Sequence, residues 1–204
     1  MDQHRLVPKK EKIAMKRLAW IFTLLILIGG KAYGQPKAGD PAGRATIINS
    51  NGETVGSATI TQGPQSVAIA VEVSQLPPGK HGIHIHAIGK CDPPDFQTAG
   101  GHFNPFSKKH GLKNPEGSHA GDLPNLEVGP DGKGKIEATV GGLTLGKEGL
   151  AVLLDSNGTA VVIHAGPDDE MTDPAGNSGA RIACGVIKPS GAVALPMKPM
   201  KEGS

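Results

Sequence analysis

The amino-acid sequence predicts an all-β domain, a sandwich or flattened barrel of about eight antiparallel strands from which two long irregular loops project. Three observations predict it. Short β-prone runs recur along the chain between turn signals. With 30 glycines, 17 prolines and only 3% aromatic residues, the composition suits short strands joined by turns. No stretch carries the 3.6-residue apolar period of a helix.

The first residues read differently from the rest. Lys9 to Arg17 is basic, Leu18 to Gly30 is an apolar run, and Ala32-Tyr33-Gly34 supplies small residues, the three parts of a secretory signal peptide. The apolar run is short for a bilayer span. Residues 1–34 are therefore expected to be cleaved after Gly34, an uncleaved anchor being the alternative. They hold seven of the 21 Lys/Arg and two of the 19 Asp/Glu, so the exported chain keeps 14 basic and 17 acidic residues, a formal charge of −3. Neither a basic run nor an aromatic platform remains, which argues against a nucleic-acid partner. No membrane association is expected after cleavage. Export to the periplasm or cell exterior favours a disulfide between the two cysteines, Cys91 and Cys184, two separate thiols being the alternative.

A Pro/Gly-rich lead-in, residues 35–43, precedes the domain, read as residues 44–188. Ala45–Asn49 and Val55–Gln62 flank Ser-Asn-Gly-Glu, a hairpin signal. Ser66–Leu76 alternates apolar and polar residues, and His81–His86 (HGIHIH) follows a Pro-Pro-Gly-Lys turn. From Ala87 to Asp122 periodicity is lost, and a loop of that length in a compact domain needs something to order it. Leu126–Val140 reads as strand, Pro-Asp-Gly turn and strand. Gly149–Ala165 reads as a further strand pair across Asn157-Gly158, and a second polar loop spans Gly166–Gly179. Arg181–Ile187 is the closing strand, and residues 189–204 read as a disordered tail.

The histidines concentrate the chemistry. Strand side chains alternate between faces, so His84 and His86 share one face while His81 has the opposite parity. Two imidazoles at that spacing can converge on zinc or copper, although one such pair alone also fits a half-buried strand with exposed histidines. The first loop adds His102, His110 and His119, with Asp122 three residues after the last, the donor count of a tetrahedral zinc site. His164 ends a strand otherwise made of core residues.

The motifs GIHIH, GGHFNP, KKHG, SHAGDLPN, VIHAGPDD and GNSGARIACGVI, in this order between Ala45 and Ile187, resemble the copper/zinc superoxide dismutase family. The resemblance implies a Greek-key β-sandwich of immunoglobulin-like architecture holding one copper and one zinc per subunit. It implies copper ligands His84, His86, His102 and His164, and zinc ligands His102, His110, His119 and Asp122, with His102 bridging both metals. It further implies Asp168 as a carboxylate supporting ligands of both metals, Arg181 as the guanidinium beside the copper, and Cys91–Cys184 as the intrasubunit disulfide. His81 matches no ligand and reads as a solvent-facing or structural histidine.

The activity implied is dismutation of two superoxide anions to dioxygen and hydrogen peroxide by copper cycling between Cu(II) and Cu(I). Zinc is structural in that scheme, and Arg181 and His102 act at the reacting centre. The alternative is a copper-binding or copper-transfer module of low catalytic power on the same fold. The loop Gly166–Ala180 departs from the family's cytosolic members: it is shorter, and Pro174-Ala175 stand where a Lys–Thr pair lines the substrate channel. With Asp168, Asp169, Glu170 and Asp173 and no lysine in it, steering is expected to rest on Arg181. Met197 and Met200 in the tail are read as flexible chain rather than as soft copper ligands. The sequence fixes no oligomeric state; a homodimer is compatible with it.

Overall fold

The computed structural model describes residues 42–190 except Lys147. The expected leader 1–34, most of the lead-in and the tail beyond Ser190, with Met197 and Met200, lie outside the described residues. The strands are β1 (Ala42–Asn49), β2 (Thr54–Gln62), β3 (Ser66–Val73), β4 (Gly79–His81), β5 (Ile83–His86), β6 (Leu126–Val128), β7 (Gly134–Gly141), β8 (Ala160–His164), β9 (Arg181–Val186) and β10 (Lys188–Pro189). A single 3-10 turn, Gln97–Ala99, interrupts the first long loop, and no α-helix occurs among the described residues.

All strand pairs are antiparallel, in the order β4-β6-β7-β3-β2-β1-β9-β8-β5, with β10 added to β1. The two ends of that order, β4 and β5, are neighbours in sequence, joined through Gly82. Chain continuity there brings the two ends of the sheet together, so the sheet nearly closes into a barrel. The stretch read as one strand, HGIHIH, is two: β4 pairs with β6 and β5 with β8. Gly82 makes the switch, its N–H donating to the Gly166 carbonyl and its own carbonyl accepting from His164 N–H, both at 2.8 Å. A Cβ there would lie 2.8 Å from that of Ser178, so the second loop lies directly over this glycine.

Alternation builds the core. In β3, Val67, Ile69, Val71 and Val73 are buried and join Ile47, Ile60, Ile83, Ile85, Leu126 and Ile163 inside the barrel. Each fully buried aliphatic side chain contributes about 1.5–3 kcal/mol. A smaller cluster, Phe96, Ala99, Ala160, Val162 and Cys184, packs the first loop onto the outside of β8 and β9. The Cys91–Cys184 disulfide fastens the same loop there.

One expected strand is absent. Residues 150–154 form no hairpin with β8. Instead Thr144 N–H donates to Ala151 O (3.0 Å) and Leu153 N–H to Thr144 O (2.9 Å), and Leu143, Leu145, Ala151 and Leu153 fill the barrel end. Asn157-Gly158 is not a hairpin turn because the Asp155 carboxylate accepts both backbone N–H groups, each at 2.9 Å, closing a local Asx turn.

Candidate metal centre

The first cage starts from the pleat of β5. Ile83 and Ile85 face the barrel core, so His84 and His86 face outward, yet the loops cover them and both are fully buried. The first loop returns across β5 to form isolated bridges between His86 and His102 and between His84 and Asp122, with Ile85 N–H donating to Gly121 O at 2.8 Å. His164 arrives from the end of β8, which pairs with β5. The structure brings His84, His86, His102 and His164 together, with one nitrogen of each within 4.8 Å of the others.

The hydrogen bonds decide which nitrogens face inward. His86 Nδ1 donates to Gly100 O (2.9 Å), His164 Nδ1 to Gly179 O (3.0 Å) and His84 Nε2 to Asp168 Oδ2 (2.8 Å). Each bond fixes the tautomer and leaves the other ring nitrogen as a bare lone pair. The nitrogens left over, His84 Nδ1, His86 Nε2, His164 Nε2 and His102 Nε2, are buried with no hydrogen-bond partner. Buried polar atoms without partners are costly. Four of them in one place, all lone pairs, fit a soft-to-borderline cation such as copper.

The second cage adjoins the first through the His102 ring. Asp122 Oδ1 lies 3.0 Å from His102 Nδ1, 3.1 Å from His110 Nδ1 and 3.2 Å from His119 Nδ1, and His102 Nδ1 lies 3.3 Å from His119 Nδ1. A tetrahedral zinc with bonds of 2.0–2.1 Å has ligand-to-ligand edges of about 3.3 Å, which these separations match. His110 makes the case chemically. Its Nε2 faces Asp168 Oδ1 at 3.0 Å while its Nδ1 faces Asp122. A neutral ring has one N–H for two carboxylates, and a cation on the Nδ1 side resolves the conflict. His84 also approaches this group, but its Nε2 is held by Asp168 and its Nδ1 points into the first cage.

Asp168 thus touches one ring of each cage. Burial alone would raise its pKa, but hydrogen bonds from His84, His110 and the Glu170 N–H hold it down at about 2. Asp122 is likewise pushed well below the usual carboxylate range: burial works against this, and the His102 contact, the Gly111 N–H and neighbouring imidazoles outweigh it. Gly176 lies so close to Asp168 Oδ1 that no Cβ fits between them, and its φ of +58° suits glycine.

Burial depresses His84 and His164 to about 4 and His86 to about 2, from an ordinary 6.5. These shifts fix a pH dependence for the metal-free protein. Above pH 6.5 these rings are neutral whether the chain is folded or unfolded. Below it, the unfolded chain takes up protons that the folded one refuses. Stability is therefore expected to fall as pH drops from about 6.5 towards 4, by up to about 1.4 kcal/mol per pH unit for each ring. Urea midpoints of the metal-free protein at pH 7 and pH 5 measure it; equal midpoints would contradict the desolvated cage.

Sequence reasoning missed several contributors. The Gly100 carbonyl accepts from both His86 Nδ1 and Arg181 Nη2 (2.7 Å), and Arg181 Nη1 donates to Phe96 O at 2.8 Å. Asn125, unassigned within the DLPN motif, donates to Asp168 O (2.9 Å) and accepts from Asp168 N–H (2.7 Å). The acids of the second loop are not bare. Lys109 pairs with Asp173 and Lys113 with Glu170, each at 2.8 Å, and Asp173 Oδ1 accepts the His110 N–H. Backbone carbonyls and cross-loop partners leave no pattern in sequence, so nothing there pointed to them. His81 is structural and not solvent-facing: it is 2% exposed, with Nδ1 2.8 Å from His164 O and Nε2 2.8 Å from Pro77 O.

A nearly closed antiparallel β-barrel carrying two adjoining groups of nitrogen and carboxylate donors, joined through one imidazole, defines a protein of the metal-binding β-barrel class. Residues 54–187 match the family model described as copper/zinc superoxide dismutase (SODC). The chain is 52% identical over 145 residues to "Superoxide dismutase [Cu-Zn] 1" of Aquifex aeolicus, covering 71% of this chain and 86% of that one. It is 39% identical over 184 residues to the "Superoxide dismutase-like protein YojM" of Bacillus subtilis, covering 82% and 94%. Among solved structures it resembles a superoxide dismutase-like protein from B. subtilis (TM-score 0.67, 44% identity, 70% of this chain and 96% of that one). It also resembles the Cu/Zn superoxide dismutase of Brucella abortus (TM-score 0.56, 30% identity, 72% and 99%). The chain belongs to the copper/zinc superoxide dismutase family.

Proposed function

We propose that this protein is an exported superoxide dismutase with one copper and one zinc per chain. One observation carries the reading: the four buried nitrogens without partners are one from each of His84, His86, His102 and His164, the set that the family resemblance implies for copper. Bound copper supplies the one-electron redox chemistry by which superoxide becomes dioxygen in one half-reaction and hydrogen peroxide in the other.

The chain's own residues orient, focus and hold protons. Gly100 O, Gly179 O and Asp168 hold three rings with their lone pairs inward, which limits reorganisation between half-reactions. His102 sits between the cages, and its Nε2 is the atom that takes a proton between half-reactions. His102, His110, His119 and Asp122 would hold the zinc, which would order the long first loop and fix the ring of His102. Asp168 couples the two cages mechanically through His84 and His110.

Arg181, fixed by two carbonyls, is the cation that attracts the substrate anion. Because Lys109 and Lys113 offset Asp173 and Glu170, the second loop repels superoxide less than its composition suggests. Focusing of this kind raises association rates by roughly 10–10³. Arg181→Gln is expected to lower kcat/KM about tenfold at low ionic strength and to flatten its salt dependence, with metal content retained. Stopped-flow superoxide decay across a salt series reads this, and an unchanged rate would remove Arg181 from the steering role.

Residues 1–34 are the export signal, and the domain of residues 44–188 works in the periplasm or outside the cell, where its disulfide persists. The deciding experiment is metal analysis with copper EPR on the exported protein. One copper and one zinc per chain are expected, with a rhombic copper signal that becomes axial in His102→Ala. A chain that takes up zinc but no copper, or loads both and consumes no superoxide, would refute the proposal.

A further inference from the structure

Away from the metal centre, a groove of about 710 Å³ opens beside the disulfide, where β1 meets β10. Arg44, Lys90 and Lys188 line it together with one carboxylate, Asp92. All three cations are exposed. Arg44 and Lys188 stand directly opposite each other in the β1–β10 register. Residues so placed project from the same face with Cβ atoms about 5 Å apart, and like charges in that position destabilise the pair. The lysine–carboxylate bridges among the described residues use Lys109, Lys113, Lys133 and Lys135, and none reaches Arg44, Lys90 or Lys188. A chain whose exported part is net acidic has thus gathered three cations, none of them in an ion pair, and a single carboxylate around one concave site, with the repulsion of two of the cations built into a strand pair.

We propose that this groove is a binding site for a phosphate-bearing anion. Three cations against one carboxylate leave a local charge of +2, which a phosphate dianion neutralises. The planar Arg44 guanidinium offers the paired N–H donors that suit two phosphate oxygens, and Lys90 and Lys188 add point charges from the other walls. The bound anion also removes the cross-strand repulsion, so binding and the stability of the β1–β10 pair are linked. The site is separate from the metal cages and independent of dismutation. Free phosphate and the headgroup of an anionic lipid present the same chemistry.

The test measures melting of the metal-loaded protein in inorganic phosphate and in sodium chloride of matched ionic strength. Phosphate at ten times its dissociation constant is expected to raise Tm by about 3–6 °C over chloride. Lys188→Glu places an opposite charge across from Arg44. It is expected to raise the phosphate-free Tm by about 1–3 °C, to weaken phosphate binding at least tenfold and to leave superoxide consumption unchanged. Co-sedimentation with phosphatidylcholine vesicles, with and without phosphatidylglycerol, separates the sources. Recruitment by the anionic vesicles that Lys188→Glu abolishes supports the headgroup as ligand; stabilisation by phosphate without recruitment supports a soluble phosphate. Equal Tm in phosphate and chloride with no recruitment overturns the proposal. So does stabilisation that survives Lys188→Glu but vanishes in Arg181→Gln, since that places the anion at the metal centre.

Discussion

Replacing His86 with glutamine is expected to strip copper from the chain and lower superoxide consumption by at least about a hundredfold, while the same change at His81 leaves copper content intact. Both residues are buried histidines of one short stretch, so composition does not distinguish them. Their partners do. His86 spends one nitrogen on Gly100 O and leaves the other bare in the cage, whereas both His81 nitrogens face backbone carbonyls, those of His164 and Pro77, away from the cage. Losing even a group that only supports a ligand commonly costs 10–100-fold in affinity or activity, and losing the ligand costs more. In His81→Gln the loss is of hydrogen bonds in a buried place, about 1–3 kcal/mol, seen as a lower Tm at full copper loading. Copper content by atomic emission with EPR separates the two variants. Equal copper loss in both would mean that the hydrogen-bond partners of the two rings do not select the ligand.

Removing the disulfide in Cys91→Ser/Cys184→Ser is the change expected to cost the most stability. The bridge spans a sequence separation of 93. In the chain-entropy account, closing so long a loop constrains the unfolded chain by about 4–5 kcal/mol. For a domain of this size that corresponds to a fall in Tm on the order of 10–20 °C. The loss also reaches the site. The segment between Cys91 and Gly100 carries both carbonyls that hold Arg181, and Gly100 O also orients His86. The variant is therefore expected to lose kcat/KM even at temperatures where it stays folded, and the disulfide is expected to matter less to kcat/KM in an Arg181→Gln background, where no guanidinium remains to misplace. A disulfide-free protein with wild-type kcat/KM would show that the packing of Phe96, Ala99, Ala160 and Val162 anchors the loop by itself.

Much of the fold was legible because a two-residue period states directly which face is buried. Ser66–Val73 is the clearest case: every second residue is in the core. Where neighbours override the local pattern, the reading failed. Ala151 and Leu153 look like strand residues, but the open end of the barrel needed filling and took them as a plug. His81–His86 looks like one strand, but closing the barrel required the chain to change partners at Gly82. In the site, the candidate donors stood out in the sequence because few side-chain types can bind a metal. The lysines that neutralise Asp173 and Glu170 did not, because charge pairing between two loops leaves no spacing rule.

The sequence by itself determined the class of fold and the inventory of donors, since alternation and residue chemistry are properties of neighbours along the chain. Only the tertiary structure decided which nitrogen of each imidazole is free. That choice is set by backbone carbonyls and a carboxylate brought in from distant strands and loops, and a lone pair becomes a ligand only when its ring's proton is held on the other side.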